Sequence, residues 1–220
     1  MDLSVFFTTP VTLPEFPEMD QLPHWALGKK VSGASGFPNW QAADIVLIGV
    51  PDIDAPSGLA TAIRKEFYQL SSPDQLPKVA DLGDMKPKDD QESYEDTLSY
   101  ILEQLFEQGK TVVLLADNPG FTFAQYRAYE HLNTNISYVH VGAGLDLDAP
   151  HEGNPHTSYN QRILRHEPNY LFGYSQLGYQ RYLADPEAIR SLSDLHCSSL
   201  RYGELEAHPE EAEPYMRDAS

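Results

Sequence analysis

The chain has 220 residues, and 33 Asp and Glu outnumber 15 Lys and Arg, which gives a formal net charge of −18. This acidity excludes proteins that bind phosphate backbones or anionic lipids through basic surfaces, so we predict neither nucleic-acid nor membrane partners. A hydrophobic fraction of 41% favours a folded core, and a single cysteine excludes an internal disulfide. The N-terminal residues lack the basic and long apolar segments of a signal peptide, which predicts a cytoplasmic location.

Short apolar runs alternate with segments of helical periodicity along the chain, which predicts an α/β protein with a mainly parallel sheet. Thr122 is predicted to cap one helix, and Asp185 followed by Pro186 marks the start of another. The predicted strands cover residues 45–50, 78–83, 111–116, 136–141 and 170–172. The predicted helices cover residues 59–70, 93–108, 122–132 and 185–195, the last with Ile189, Leu192 and Leu195 on one face.

The two ends of the chain differ in composition from the rest. Residues 1–41 are predicted to form an irregular N-terminal arm, and residues 42–220 the α/β domain. The arm carries Trp25, Phe37 and Trp40, which favour contact with a protein partner. Residues 204–213 hold five glutamates and read as a solvated acidic loop or tail.

Ligands of open α/β sheets bind beyond the carboxyl ends of the strands, which directs attention to residues 49–58, 116–122 and 142–156. The third segment and the strand before it are rich in imidazole and carboxylate groups, which suit Mn, Fe or Zn. No pair has the spacing of a helical metal motif, so a polar turn explains the same composition. The potential ligands are His140, Asp146, Asp148, His151, Glu152 and His156. Arg64 is predicted to pair with Asp81 or Asp84 and to tie a helix to the sheet.

These strand ends are also where the sequence resembles the ureohydrolases: arginase, agmatinase and formimidoylglutamase. Four segments, in order, are similar to motifs of that family, and the later segments 166–170 and 178–180 resemble its formimidoylglutamase-like branch. The four segments are Gly49-Val50-Pro51-Asp52 with Ala62-Ile63-Arg64, Asp81-Leu82-Gly83-Asp84, residues 112–129, and residues 138–147.

The resemblance implies a three-layer α/β/α arginase-like fold with a mainly parallel sheet, truncated before its last strands. The strands present would then form two groups with unpaired edges between them. It also implies a reaction in which two Mn ions activate a bridging water. Of the family's ligand positions, one His falls on Pro119, an Asp and a His fall on Gly142 and Gly144, and only Asp146 is retained. Proline and glycine offer no side-chain ligand.

Three hypotheses follow from this pattern. The first is a degenerate, non-catalytic ureohydrolase-fold protein that acts through binding or assembly, with no catalytic residue and no cofactor. The second is a Mn-dependent hydrolase of C–N bonds in guanidino or formimino compounds, with a rebuilt metal site drawn from Asp146, Asp148, His151 and Asp117. The third is one half of a split fold. The expected partner is a second copy or another protein that completes the sheet.

Overall fold

The computed structural model describes residues 2–8, 22–33, 36–54, 56–147, 158–195 and 197–217. The chain divides into two compact units, residues 1–124 and 125–220. The strands are β1 (Phe7–Thr8), β2 (Ile45–Val50), β3 (Val79–Met85), β4 (Thr111–Ala116), β5 (Ile136–Val141), β6 (Leu171–Tyr179) and β7 (Ser198–Arg201). The helices are α1 (Leu59–Phe67), α2 (Gln91–Glu107), α3 (Thr122–His131), α4 (Tyr159–Leu164), α5 (Pro186–Asp194), α6 (Tyr202–Ala207) and α7 (Ala212–Arg217).

The first unit contains a sheet with the strand order β1-β3-β2-β4. β2 runs parallel to both β3 and β4, whereas the short β1 is antiparallel to β3. β2 is buried along nearly its whole length, as its unbroken apolar sequence predicts for a strand covered on both faces. One cluster of its core joins β2 and β3 to the segments before and after them: Leu27, Val31, Leu47, Tyr68 and Val79.

Helix α2 confirms the clearest helical periodicity of the sequence. It begins two residues before the predicted start, because the side chain of Asp90 accepts a hydrogen bond from the amide of Ser93 and caps the first turn. The helix ends before Gly109, which has a φ of +66°. Its buried stripe consists of Tyr94, Leu98, Ser99, Ile101, Leu102 and Leu105.

The second unit contains a fully parallel sheet with the order β5-β6-β7. Helix α5 begins as predicted, since Asp185 accepts a hydrogen bond from the amide of Glu187 and Pro186 occupies the first turn. A core cluster joins the segment after β5 to β6 and α5: Leu145, Leu147, Tyr174, Tyr179, Ala188 and Leu192.

β4 and β5 each lie at one edge of their own sheet. The predicted division of the strands into two groups is therefore confirmed. β4 is apolar after Thr111, whereas β5 also contains Ser137 and His140, and no residue of either strand is fully buried, in contrast to β2. Val113 of β4 is 40% exposed and Val141 of β5 is 67% exposed. Each sheet thus has one edge strand with an exposed valine, β4 or β5, and its other edge strand is β1 or β7.

Three predicted element boundaries are corrected. Thr122 is not the cap of α3, because the chain enters that helix through a 3₁₀ turn at Pro119–Phe121, which Asn118 caps with its side chain. The strand predicted at 170–172 continues to Tyr179. Leu195 lies beyond the end of α5 and is 58% exposed, so it does not belong to the buried face of that helix.

The arm contributes to the core more than its composition predicts. Within it, β1 pairs with β3, and Trp40 is buried, so this residue is unavailable for a partner, while Trp25 remains half-exposed. Residues 204–213 are not a loop: they include most of α6, a 3₁₀ turn at Pro209–Glu211 and the start of α7, and no residue in these elements is buried. In the part of the chain that the structure describes, no helix has both the length and the apolar character to cross a bilayer.

Candidate functional site

A buried ion-pair cluster lies in the first unit at the end of β3. Arg64 of α1 donates from Nε and Nη2 to the two carboxylate oxygens of Asp81, at 2.7 and 3.0 Å, and from Nη1 to Asp84. The hydroxyl of Tyr68 also donates to Asp81, at 2.6 Å. Burial alone would lower the pKa of Arg64, but the two carboxylates raise it. The predicted pairing is confirmed with both acids at once, and its role is to hold α1 on the sheet.

Gly49 explains why the first motif of the resemblance contains a glycine. β2 passes so close to this cluster that a Cβ at Gly49 would overlap the Oδ1 atom of Asp84 and approach Nη2 of Arg64 to 3.0 Å. Only a residue without a side chain leaves room for Asp84 to reach Arg64. The motif residues Gly49, Arg64, Asp81 and Asp84 therefore form one structural unit.

Asp117 organises the loops beyond the carboxyl ends of β2 and β4. Its carboxylate accepts hydrogen bonds from the Ser57 hydroxyl at 2.5 Å, the Ser57 amide at 2.8 Å and the Asp52 amide at 3.2 Å. Asn118 donates to the carboxylate of Asp52 at 3.2 Å. Burial raises the pKa of Asp117, but the hydrogen bonds from Ser57 outweigh it, and the pKa is lowered overall. This carboxylate is used to fasten a loop.

A hydrogen-bonded network in the second unit surrounds His140 of β5. Nδ1 of His140 lies 2.7 Å from Oε1 of Gln176, and Nε2 lies 2.9 Å from the hydroxyl of Tyr159. The Tyr159 hydroxyl also donates to Asp146, at 3.1 Å. Asn160 lies 3.1 Å from Nδ1 and donates to the carbonyl of Leu145. Gln176 and Asn160 are completely buried, so these bonds replace the water that the two amides lose.

The network holds the segment after β5, which carries the ligand positions of the resemblance. Gln176 donates to the carbonyls of Gly142 and Gly144, and Asp146 has a φ of +53°. A Cβ at Gly142 would lie 3.1 Å from Nε2 of His140, and a Cβ at Gly144 would lie 3.7 Å from the Asp146 carboxylate. A side chain at position 142 would therefore make a tight contact with the imidazole of His140.

Burial raises the pKa of two tyrosine hydroxyls near His140. Desolvation and then the charge of Asp146 raise the pKa of Tyr138, and the same two effects, in the same order, raise that of Tyr159. Both hydroxyls therefore remain protonated at neutral pH and act as donors. Tyr159 connects an imidazole to a carboxylate, whose atoms Nε2 and Oδ2 are 3.8 Å apart.

The donor set does not fit the binuclear Mn centre that the resemblance implies. Among the described residues, no three His, Cys, Asp or Glu side chains are grouped so that they could hold a metal ion. Of the ligand positions that the resemblance assigns, only Asp146 keeps a side chain that can bind a metal. The Tyr159 hydroxyl donates a hydrogen bond to one of its carboxylate oxygens. Asp148 and His151 lie outside the described residues. Asp117 belongs to the first unit, where Ser57 engages its carboxylate.

Solved structures supply the comparison that sequences do not. No protein-family profile matches this sequence, and no curated protein does. The chain is similar to a Trypanosoma cruzi formiminoglutamase with Mn²⁺, with a TM-score of 0.66 and 18% identity over 80% of this chain and 65% of that one. It is similar to the agmatine ureohydrolase of Thermoplasma volcanium, with a TM-score of 0.68 and 19% identity over 92% and 71%.

A third similar structure is the formimidoylglutamase of Bacillus subtilis, with a TM-score of 0.67 and 14% identity over 84% of this chain and 65% of that one. The chain thus has the ureohydrolase fold, a three-layer α/β/α architecture with a mainly parallel sheet. It spans slightly less than two thirds of the length of the Trypanosoma and Bacillus enzymes.

Sequence reasoning missed the residues that complete the network. Tyr159, Asn160 and Gln176 belong to elements that were not predicted or were predicted too short, and no local pattern marks them. The available signal was His140 itself, because a histidine inside an apolar parallel strand needs buried polar partners.

Proposed function

We propose that this chain is a ureohydrolase-family protein that does not carry out Mn-dependent hydrolysis and acts through assembly, with its two open strand edges binding strands of a protein partner. One observation carries the proposal: β4, a parallel strand with an entirely apolar interior, pairs with β2 on one side and, among the described residues, with no strand on the other. Parallel strands of this composition are normally covered on both faces.

The residues at the metal-ligand positions of the resemblance support the loss of hydrolysis. A binuclear centre needs several carboxylate or imidazole ligands, and Pro119, Gly142 and Gly144 provide none. The remaining carboxylate, Asp146, accepts a hydrogen bond from Tyr159, and the imidazole of His140 lies close to Gly142. A hydrogen-bonded network takes the position that the resemblance assigns to metal ligands.

The strand edges support assembly. Among the described residues, the side of β4 away from β2 has no ladder partner, and Val113 and Val141 are exposed on β4 and β5. The partner that fits is a polypeptide that supplies extended, apolar strands to these edges, and a second copy is the simplest source.

The first experiment measures metal and turnover together. Purified wild type and Asp146→Asn are incubated with Mn²⁺, desalted and analysed for bound metal, then assayed with arginine, agmatine and formimidoylglutamate. We expect no Mn retained by the wild type beyond that of the variant, and no turnover. Turnover that EDTA abolishes would overturn the loss of hydrolysis.

The second experiment tests the strand edge by light scattering and amide hydrogen exchange. Val113→Lys places a charge on β4 and should abolish association at that edge. Val5→Lys is the matched control, because Val5 is 60% exposed and belongs to no strand. We expect a concentration-dependent assembly of the wild type that protects β4 amides and that Val113→Lys alone prevents. Equal association of wild type and both variants would contradict the role of β4.

The rebuilt enzyme is the second candidate function, favoured by the 3.8 Å between His140 Nε2 and Asp146 Oδ2. Two such groups can share one metal ion, with Asp148 or His151 as a further ligand. This candidate expects about one equivalent of Mn in the wild type and loss of both metal and hydrolysis in Asp146→Asn. An active Asp146→Asn protein would eliminate it.

A further inference from the structure

A cleft at the carboxyl ends of β6 and β7 has a composition unlike the rest of this acidic chain. Its volume is about 440 Å³ and it is lined by Tyr179, Gln180, Arg181, Tyr182, Arg201, Tyr202, Gly203 and Glu204. Ligands of parallel α/β sheets bind beyond the carboxyl ends of the strands, and small-molecule sites have volumes of roughly 300–1,000 Å³. The position and the size both suit a small ligand.

The charge of the cleft comes from two arginines with different surroundings. Arg201 is engaged by Glu204, with Nη2 at 2.5 Å and Nε at 3.2 Å from Oε1. Among the described residues, Arg181 forms no ion pair. In a chain with a net charge of −18, this leaves the Arg181 guanidinium as a cation available to a ligand. A guanidinium offers paired donors that match carboxylate and phosphate oxygens.

Two of the three tyrosines that line the cleft provide exposed aromatic surface. Tyr179 is 8% exposed and belongs to the core, whereas Tyr182 is 80% exposed and Tyr202 is 48% exposed. Exposed aromatic rings beside a guanidinium can stack on a planar group and on the guanidinium itself. We propose that this cleft binds a small organic anion with a planar ring, with Arg181 on the anionic group and Tyr182 and Tyr202 against the ring. The site is independent of the proposed assembly.

Calorimetry with phenyl phosphate tests the proposal, with inorganic phosphate and phenol as probes that carry only the charge or only the ring. Phenyl phosphate should bind more tightly than either. Arg181→Ala should weaken its binding about tenfold or more, because a charge-assisted hydrogen bond is lost. Tyr182→Ala should weaken phenyl phosphate about fivefold and leave inorganic phosphate unchanged. Phenyl phosphate that binds no better than phenol would overturn the role of Arg181.

Two glycine substitutions test where the ligand binds, one inside the cleft and one outside it as the control. A Cβ at Gly203, inside the cleft, meets no atom within 4 Å, and the same holds for Gly173, which does not line the cleft. Gly203→Phe should therefore fill the cleft and abolish binding of phenyl phosphate, whereas Gly173→Phe should bind like the wild type. Circular dichroism of both variants reports folding. Equal binding by two folded variants would place the ligand elsewhere and refute the proposal.

Discussion

Gly49→Ala is expected to break the contact between Arg64 and Asp84, because the new methyl group overlaps the carboxylate of Asp84. The methyl group also lies 3.0 Å from Nη2 of Arg64, which must shift by a few tenths of an ångström while the guanidinium stays on Asp81. The main loss is therefore one charge-assisted hydrogen bond, worth about 1.5–3 kcal/mol. The side chain of Asp84 is 28% exposed and can reach water once displaced. The cost therefore stays below the roughly 3–5 kcal/mol of a fully buried broken pair, and we expect about 2 kcal/mol.

Urea unfolding followed by tryptophan fluorescence measures this cost in the first unit alone. The chain has two tryptophans, Trp25 and Trp40, and both belong to residues 1–124. The control is the Asp84→Ala background, in which the overlapping carboxylate is gone and Gly49→Ala should cost about 0.5 kcal/mol or less. The same loss of stability in both backgrounds would refute the steric argument.

Three further outcomes are expected. Tyr68→Phe should destabilise the first unit by about 1–2 kcal/mol in the same fluorescence assay, since Asp81 loses a buried donor; an unchanged midpoint would contradict this. Burial raises the pKa of Asp117, but its hydrogen bonds outweigh burial and lower the pKa overall. The stability that this carboxylate gives the fold is therefore present above the unfolded pKa near 4 and is lost as the pH falls through the lower folded value. The stability difference between wild type and Asp117→Asn should therefore shrink in acid unfolding experiments below that pH, and a constant difference would refute it. Tyr159→Phe should destabilise the second unit by about 1–3 kcal/mol in hydrogen exchange, unlike Tyr170→Phe, whose hydroxyl bond is exposed.

Prediction from sequence succeeded where one local pattern decides the structure. β2 and β4 are unbroken apolar runs, and α2 has a regular stripe behind the capping residue Asp90. β6 was predicted too short because Gly173 and Gln176 interrupt its apolar pattern. Gln176 is nevertheless completely buried, because Tyr174 and His140 bond to its amide oxygen. A partner from another segment made that burial possible, and no local pattern reports such a partner.

The candidate site also has one part that the sequence could predict and one part that it could not. Asp146 could be identified from a motif, and so could the absence of ligand side chains at Gly142 and Gly144. The network that holds Asp146 could not, since Tyr159 comes from a helix across a stretch outside the described residues, and Gln176 comes from the neighbouring strand. Pairing of Arg64 with Asp81 was predictable because a helix that follows a strand brings its first turns over the sheet.

The open edges of β4 and β5 also bear on how the protein must be produced. A parallel edge cannot be closed by a short hairpin, so its neighbour has to arrive from a distant segment or from another chain. Until it arrives, the exposed apolar strands offer the same template to any extended polypeptide, including other unfinished copies. Under the proposed assembly, partner binding and aggregation compete for the same strand edges. The yield of soluble protein should rise when the partner is co-expressed and fall as the rate of synthesis increases.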